Sequence, residues 1–279
     1  MHRALRFGRR QILPASRSPV VRFSMSTTNE SAGALVEGDY RTRVYERYAS
    51  CFQNAALDFN REDAARWGRA YHHYLRGWLP RNRDAAVVDL ACGSGRLLHF
   101  FAQAGFTGIS GVDISAEQVQ LARQVAPDVA EGGVLEFLED REGAFDLITG
   151  FDIIEHFRKD EVLRFLDGCR AALKPGGRLI LQTPNADTPW SGTLRYGDFT
   201  HEVCFSPNGL GRLLCLCGFE QIEARELGPV PRGYSVASSM RSWLWRGIRL
   251  GLRLYNLAET GNTGSGVFTR VFLISGRRG

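Results

Sequence analysis

The sequence predicts an α/β domain whose sheet is mostly parallel and carries helices on both faces. Three observations lead to that expectation. Short apolar runs of strand length recur through the middle of the 279 residues, separated by segments with apolar residues at helical spacing. The connections between them are short, as successive βαβ crossovers require. A glycine-rich turn, Gly93-Ser94-Gly95, stands between the first run and the helix after it, where α/β folds bring backbone close to a ligand.

Taken in order, residues 40–79 read as helical. Trp67, Tyr71, Tyr74, Leu75 and Trp78 form one apolar stripe that Pro80 ends, and Tyr40, Tyr45 and Tyr48 mark a shorter piece. These aromatics are read as packing in preference to a lid over a ligand. Strands are expected at 86–90, 108–112, 134–138, 145–149 and 178–182, and two late ones at 219–226 and 267–275. Between them, Leu97, Leu98, Phe100 and Phe101 give one helical face, and Val119, Ala122 and Val125 a second. Val162, Leu163, Leu166 and Cys169 give a third, ended by Pro175-Gly176-Gly177. Residues 185–206 read as a long functional loop and 208–217 as a helix.

Composition bounds the class. Hydrophobic residues make up 44% and charged residues 23%, ordinary for a globular chain that buries its own core. The net charge of +5 gathers as arginine at the two ends, which argues for basic tails and against a nucleic-acid-binding face. No apolar run approaches the ~18 residues of a membrane span. The six cysteines (Cys51, Cys92, Cys169, Cys204, Cys215, Cys217) form no CxxC pair, and the six histidines show no ligand spacing such as HExxH. Reduced thiols, a cytoplasmic setting and no metal are therefore expected. Residues 1–35, with Arg3, Arg6, Arg9, Arg10, Arg17 and Arg22 and no acid before Glu30, read as a disordered leader upstream of a start at Met25. The alternative is a mitochondrial transit peptide. The remaining division is a helical cap at 36–84 and a ligand-binding domain at 85–279, with insertions at 186–206 and 235–260.

The chemistry gathers at strand ends. Asp89-Leu-Ala91-Cys-Gly93-Ser94-Gly95 couples a carboxylate to a glycine turn at a helix N-terminus. Asp113 ends the next strand, the usual place for an acid that binds ribose hydroxyls. With Gly111-Val-Asp113-Ile114-Ser, Phe145-Asp-Leu-Ile148 and Leu173-Lys-Pro-Gly-Gly177, these segments resemble the ordered motifs of class I S-adenosylmethionine-dependent methyltransferases over roughly residues 85–226. The resemblance implies a Rossmann-like, seven-stranded sheet with a final antiparallel strand. It also implies S-adenosylmethionine as cofactor, with Asp89 at the methionine end, Ala91, Gly93, Ser94 and Gly95 along its body, and Asp113 and Ile114 at the ribose. Ala91 stands where the family often has glycine. Gly132-Gly133-Val134-Leu135 stands where it often has an adenine-binding aspartate, which leaves that contact to backbone or to a nearby acid.

At the fourth strand's end, Gly150-Phe151-Asp152-Ile-Ile-Glu155-His156 resembles the matching segment of ubiquinone-biosynthesis O-methyltransferases, so Phe151, Asp152 and His156 are expected at the cofactor's reactive end. Tyr196-Gly-Asp198-Phe-Thr200-His201-Glu202 and Gly266-Val-Phe-Thr-Arg270 resemble a branch found among bacterial polysaccharide and O-antigen genes. His201 is expected to act as base with Asp198 orienting it. The resemblance implies methyl transfer to a sugar or glycan-like hydroxyl, the alternatives being a quinone-like aromatic hydroxyl and a non-catalytic cofactor-binding scaffold. The stretch 240–255 separates Arg241, Arg246, Arg249 and Arg253 from Leu244, Ile248, Leu252 and Tyr255. It is read as a helix that covers the sheet or makes a dimer contact, and it is also suited to an anionic membrane surface.

Overall fold

A computed structural model describes residues 40–45, 58–232 and 234–279; the expected leader, Met25, Tyr48 and Cys51 lie outside the described residues. Seven strands form one sheet in the order β3-β2-β1-β4-β5-β7-β6. They are β1 (Val87–Leu90), β2 (Ile109–Asp113), β3 (Val129–Glu131), β4 (Phe145–Phe151), β5 (Leu173–Pro184), β6 (Phe219–Glu226) and β7 (Val271–Arg278). β1 to β5 pair in parallel, while β7 lies antiparallel between β5 and β6. The seven-stranded fold with one late antiparallel strand is therefore as the motifs implied.

The period of two along each strand divides the core. Val88, Leu90, Ile148, Leu179 and Leu181 pack on one face with Phe165 and Leu166 of the helix Lys159–Ala172. Val87, Leu147, Ile180 and Leu273 pack on the other with Phe100 and Phe101 of the helix Arg96–Gln103. Tyr71, Leu75 and Trp78 join that second face, so the N-terminal aromatic stripe is core, as read from its spacing. It is only partly helical: the helix runs Arg61–Tyr74, its end marked by a turn at Leu75. Gly77, at φ +76°, lies in the turn before Pro80, so Pro80 does not end the helix. A short preceding helix spans Tyr40–Tyr45.

Several boundaries differ from expectation for physical reasons. The segment expected as a strand at 134–138 is a helix, Val134–Glu139, with Val134 and Leu138 buried four residues apart. Short apolar runs carry both periods, and here the helical one wins; the strand is the three-residue β3, too brief and polar to announce itself. The helix expected to stop at Pro175 stops at Ala172, and Leu173 already pairs with Phe145. The loop at 185–206 contains a helical turn, Ser191–Arg195. The late strand begins at Val271 because the carbonyls of Val267 and Thr269 are taken by the Asn185 amide.

The largest difference concerns the helix Val236–Thr260. Only Ser239 and the stripe of Ser238, Ser242, Trp245, Arg249, Leu252 and Asn256 are turned from solvent, with Trp245 Nε1 and Arg249 Nη1 held by Glu226 Oε2 at 3.1 and 3.0 Å. Met240, Trp243, Leu244, Leu250, Leu254 and Tyr255 are exposed. It does not serve as sheet cover. No described helix is long and apolar enough to cross a membrane.

Candidate active site

In a parallel sheet the strand C-termini open on one crevice, and here a cleft of about 1440 Å³ lies over the ends of β1, β2, β4 and β5. The turn after β1 forms its floor. Ala91 holds φ +55° and Gly93 φ +51°, and Gly95 at φ +88° caps the helix Arg96–Gln103. That course brings the Gly93 N–H to Asp113 Oδ2 at 2.8 Å, while Ser115 N–H donates to Oδ1 at 2.9 Å. A carboxylate accepts about four hydrogen bonds, so Asp113 keeps acceptor capacity for a ligand hydroxyl. Burial raises its pKa against the backbone donors that lower it. Asp89 is 3% exposed and receives Thr149 Oγ1 at 2.7 Å. Burial pushes its carboxyl up to about 7, poised to ionise when a cationic ligand arrives.

The opposite end is built where β4 stops. Asp152, at φ +54°, accepts Gln182 Nε2 at 2.9 Å, and Gln182 Oε1 accepts the Tyr71 hydroxyl at 2.7 Å. A 3₁₀ turn, Ile154–His156, follows. Glu155 is 1% exposed; its Oε2 accepts Thr183 Oγ1 at 2.9 Å and its Oε1 has no hydrogen-bond partner among the described residues. Its pKa is raised well above the carboxylate range, first by burial and then by Asp152. The loop carrying His201 is fastened here, because the Glu202 and Val203 N–H groups both donate to the Glu155 carbonyl. The His156 and His201 rings consequently meet edge to face, 4.9 Å between centroids. Burial, reinforced by His201, lowers His156 to about 4, so its imidazole is neutral near pH 7. Arg41 Nη2 binds the His156 carbonyl while Nη1 pairs with Glu161, which seats the short Tyr40–Tyr45 helix beside the histidines.

Of the residues expected to hold the cofactor, Asp89, Ala91, Gly93, Ser94, Asp113, Ile114, Phe151 and Asp152 all line the cleft. Gly95 does not; it supports the turn from behind, against Ala122. His156, Asp198 and His201 line the same cleft, but one pairing differs from expectation. Asp198 Oδ1 accepts Thr200 Oγ1 at 2.6 Å, and that hydroxyl lies 2.8 Å from His156 Nδ1. His201 Nδ1 is instead 2.8 Å from the Leu194 carbonyl. Asp198 therefore steadies His156 through Thr200, while the Leu194 carbonyl faces His201 Nδ1.

A methyltransferase-domain family model matches residues 59–224, more than half of the chain. The chain belongs to the S-adenosylmethionine-dependent methyltransferases. It is 32% identical over 107 residues to the ubiquinone biosynthesis O-methyltransferase of Xanthomonas campestris pv. campestris (strain B100), a match covering 36% of this chain and 44% of that protein. Against the same-named protein of Actinobacillus pleuropneumoniae serotype 5b (strain L20) it is 31% identical over 109 residues, covering 36% and 45%. The chain thus spans less than half the length of these curated relatives. Among solved structures, a SAM-dependent methyltransferase from Archaeoglobus fulgidus aligns with a TM-score of 0.56 at 19% identity, covering 86% of this chain and 100% of that one. Haemonchus contortus phosphoethanolamine N-methyltransferase 2, solved with S-adenosyl-L-methionine, aligns at 0.55 and 14% identity, covering 84% and 60%. These two likenesses establish the fold of the methyltransferase.

Sequence reasoning passed over Gln182 and Thr183 as site residues and read Tyr71 as packing in preference to a lid. Gln182 had a signal, since it stands at a strand's C-terminal end; the Tyr71 hydroxyl contact had none, because it crosses 111 positions. The histidine spacing also hid a convergence. Glu155, His156 and His201 each bring one ligand-type atom to within 4.8 Å of the others, across 45 positions of chain that no linear motif connects.

Proposed function

We propose that this methyltransferase moves the methyl group of S-adenosylmethionine to a hydroxyl of a small aromatic, quinol-like acceptor. The observation that carries the reading is the shared cleft: the glycine turn with Asp89 and Asp113 at one end, the His156–His201 pair at the other. Trp67, Tyr71, Phe151 and Phe157 line it as well, and flat apolar walls suit an aromatic ring. The ubiquinone-biosynthesis relatives point the same way. A sugar or glycan-like hydroxyl is the second reading, favoured by the segment from Tyr196 to His201.

The proposed chemistry is an in-line displacement. The acceptor oxygen forms a bond to the methyl carbon as the carbon–sulfur bond breaks, and S-adenosylhomocysteine departs. The activated sulfonium leaves the protein to position the acceptor, exclude water and remove one proton. His201 is suited to that last step. Its Nδ1 faces a carbonyl, which only an N–H satisfies, so the Nε2 lone pair is the one that accepts. Adenine would lie between Ile114 and Leu135, with Glu131 as the nearby acid, since all three line the cleft beyond Asp113. The helix Val236–Thr260, with exposed Arg241, Arg246 and Arg253 among its apolar side chains and no acid before Glu259, would rest on an anionic membrane surface.

Titration with S-adenosylmethionine and S-adenosylhomocysteine, beside Asp113→Ala, tests the cofactor half; labelled-methyl transfer to catechol and glycan acceptors tests the other. His201→Ala should lower turnover by roughly 10²–10⁴ and leave cofactor affinity near wild type. Equal loss of both would make His201 structural. Intact cofactor binding with no transfer to any acceptor would favour a scaffold.

A further inference from the structure

Charge is out of balance at the end of the sheet remote from the cleft. Arg178 of β5 and Arg277 of β7 are cross-strand partners in direct register, so their side chains leave the same face. It is the face on which Ile180 and Leu273 pack with Tyr71, Leu75 and Trp78. Gln182, which lines the cleft, lies four residues further along β5, roughly 13 Å away. Arg178 is 8% exposed, and its one side-chain hydrogen bond among the described residues runs from Nη1 to Ser275 Oγ at 2.6 Å. Arg277 Nε is buried without a hydrogen-bond partner among them. The neighbouring acid is already committed. Glu223, opposite Ser275 on β6, accepts Arg225 Nε and Trp78 Nε1, both at 2.9 Å. Glu220, opposite Arg277 on β6, is exposed. Among the described residues neither Arg178 nor Arg277 forms an ion pair. Like charges facing each other across a ladder destabilise it, and a buried guanidinium without a counter-charge is costlier still. What offsets both charges and receives their spare N–H groups is an anion.

We propose that Arg178 and Arg277 form a binding site for a phosphate-type dianion, apart from the methyl-transfer cleft. A guanidinium presents its N–H groups in a fixed fork that matches phosphate oxygens, and here two forks come from adjacent strands held in register. Arg225 stays outside the pair. Its guanidinium lies 3.8 Å from the centre of the Trp78 ring, its Nη1 donates to the Tyr74 and Arg76 carbonyls, and Glu223 answers its charge. A bound dianion would tie β5 to β7 through side chains as well as through the ladder. Free phosphate and the phosphoryl group of a small ester offer the same oxygens, so either could be the source. The inference is independent of which acceptor is methylated.

The test uses the full chain in a buffer free of multivalent anions. It is titrated with sodium phosphate, with glycerol phosphate and, at matched ionic strength, with sodium chloride, and read by calorimetry and by thermal unfolding. Phosphate should bind and raise the unfolding temperature where chloride does not, since a ligand of the native state stabilises it. Tighter binding of glycerol phosphate supports the site and assigns it to an ester; tighter binding of phosphate supports it and assigns it to the free ion. Arg178→Met, which keeps length and packing, and Arg277→Gln should each weaken phosphate binding by roughly tenfold or more, the loss of one charge-assisted hydrogen bond. Both variants should bind S-adenosylmethionine as wild type does, and His201→Ala, in the cleft, should keep the phosphate affinity. In chloride alone Arg178→Met should unfold no earlier than wild type, because it relieves a buried like-charge pair. Phosphate acting no differently from chloride on folded wild type overturns the proposal, as does phosphate binding that both arginine variants retain. Early unfolding of Arg178→Met in chloride, with the response to phosphate intact, makes Arg178 a packing residue and overturns it too.

Discussion

Replacing Gly95 by alanine should cost about 2–4 kcal/mol of folding stability, while the same change at Gly93, two residues away, should cost about 1 kcal/mol or less. Both glycines have positive φ, +88° and +51°. An alanine there carries a backbone strain of about 1–2 kcal/mol, partly offset by the ~0.4–1 kcal/mol gained from a stiffer unfolded chain. The difference lies in what a new Cβ meets. At Gly95 it comes 3.0 Å from Ala122 Cα and 3.2 Å from Ala122 Cβ. Those are main-chain and Cβ atoms of the helix Ala116–Ala122, which no rotamer change can move aside. Overpacking of that kind adds about 1–3 kcal/mol. At Gly93 the nearest neighbour is Gln118 Oε1 at 3.9 Å, an ordinary contact. Gly93 also lines the cleft and Gly95 does not, so the effects on ligand should be reversed: Gly93→Ala should weaken S-adenosylmethionine binding more than its stability loss suggests. Urea denaturation and cofactor titration of both variants read the two effects separately. Equal stability losses at the two positions would refute the contact argument.

Three further outcomes follow from the same geometry. The Asp89 carboxyl titrates near 7 in the fold, so between about pH 4 and 7 the native state holds a proton the unfolded chain has lost. Stability of the unliganded protein should therefore fall as pH rises through that window, by about 4 kcal/mol at most. Asp89→Asn should flatten the profile, and calorimetry in buffers of different ionisation enthalpy should register proton release when the cationic cofactor binds. Tyr71→Phe removes the donor to buried Gln182 Oε1 and should cost about 1–3 kcal/mol, measured by thermal unfolding; a neutral result would mean that Gln182 turns to another donor. Ala91→Gly relieves a positive φ on a non-glycine residue and should be stabilising by up to about 1 kcal/mol. A loss of stability instead would mean the Ala91 side chain contributes more packing than its strain costs.

What could be read from the sequence follows the range over which each signal acts. The glycine turn and the acids after β1 and β2 were legible because backbone geometry and strand ends act over a few residues. Their placement in one cleft follows from the parallel sheet alone. The 134–138 segment was misread because five apolar-rich residues satisfy both periods, and only the packing of Val134 and Leu138 chooses between them. The helix at 236–260 was recognisable, yet spacing does not say which face meets the protein; Glu226, ten or more positions upstream, decides that by holding Trp245 and Arg249. The wiring of the histidines was the least legible. It depends on whether Thr200 or Asp198 reaches His156, a choice made by the turn at residues 198–201 over a 3₁₀ turn 44 positions before Thr200.

The insertion of β7 between β5 and β6 has a consequence for synthesis. β6 leaves the ribosome before β7, its one neighbour among the described strands, exists, and β5 emerges with one edge still bare. Both carry apolar residues, so these two open edges wait until the helix Val236–Thr260 and then β7 have been made. Nascent chains halted after residue 260 should hold a folded glycine turn yet expose two unpaired strand edges, the sites at which chaperones and aggregation compete.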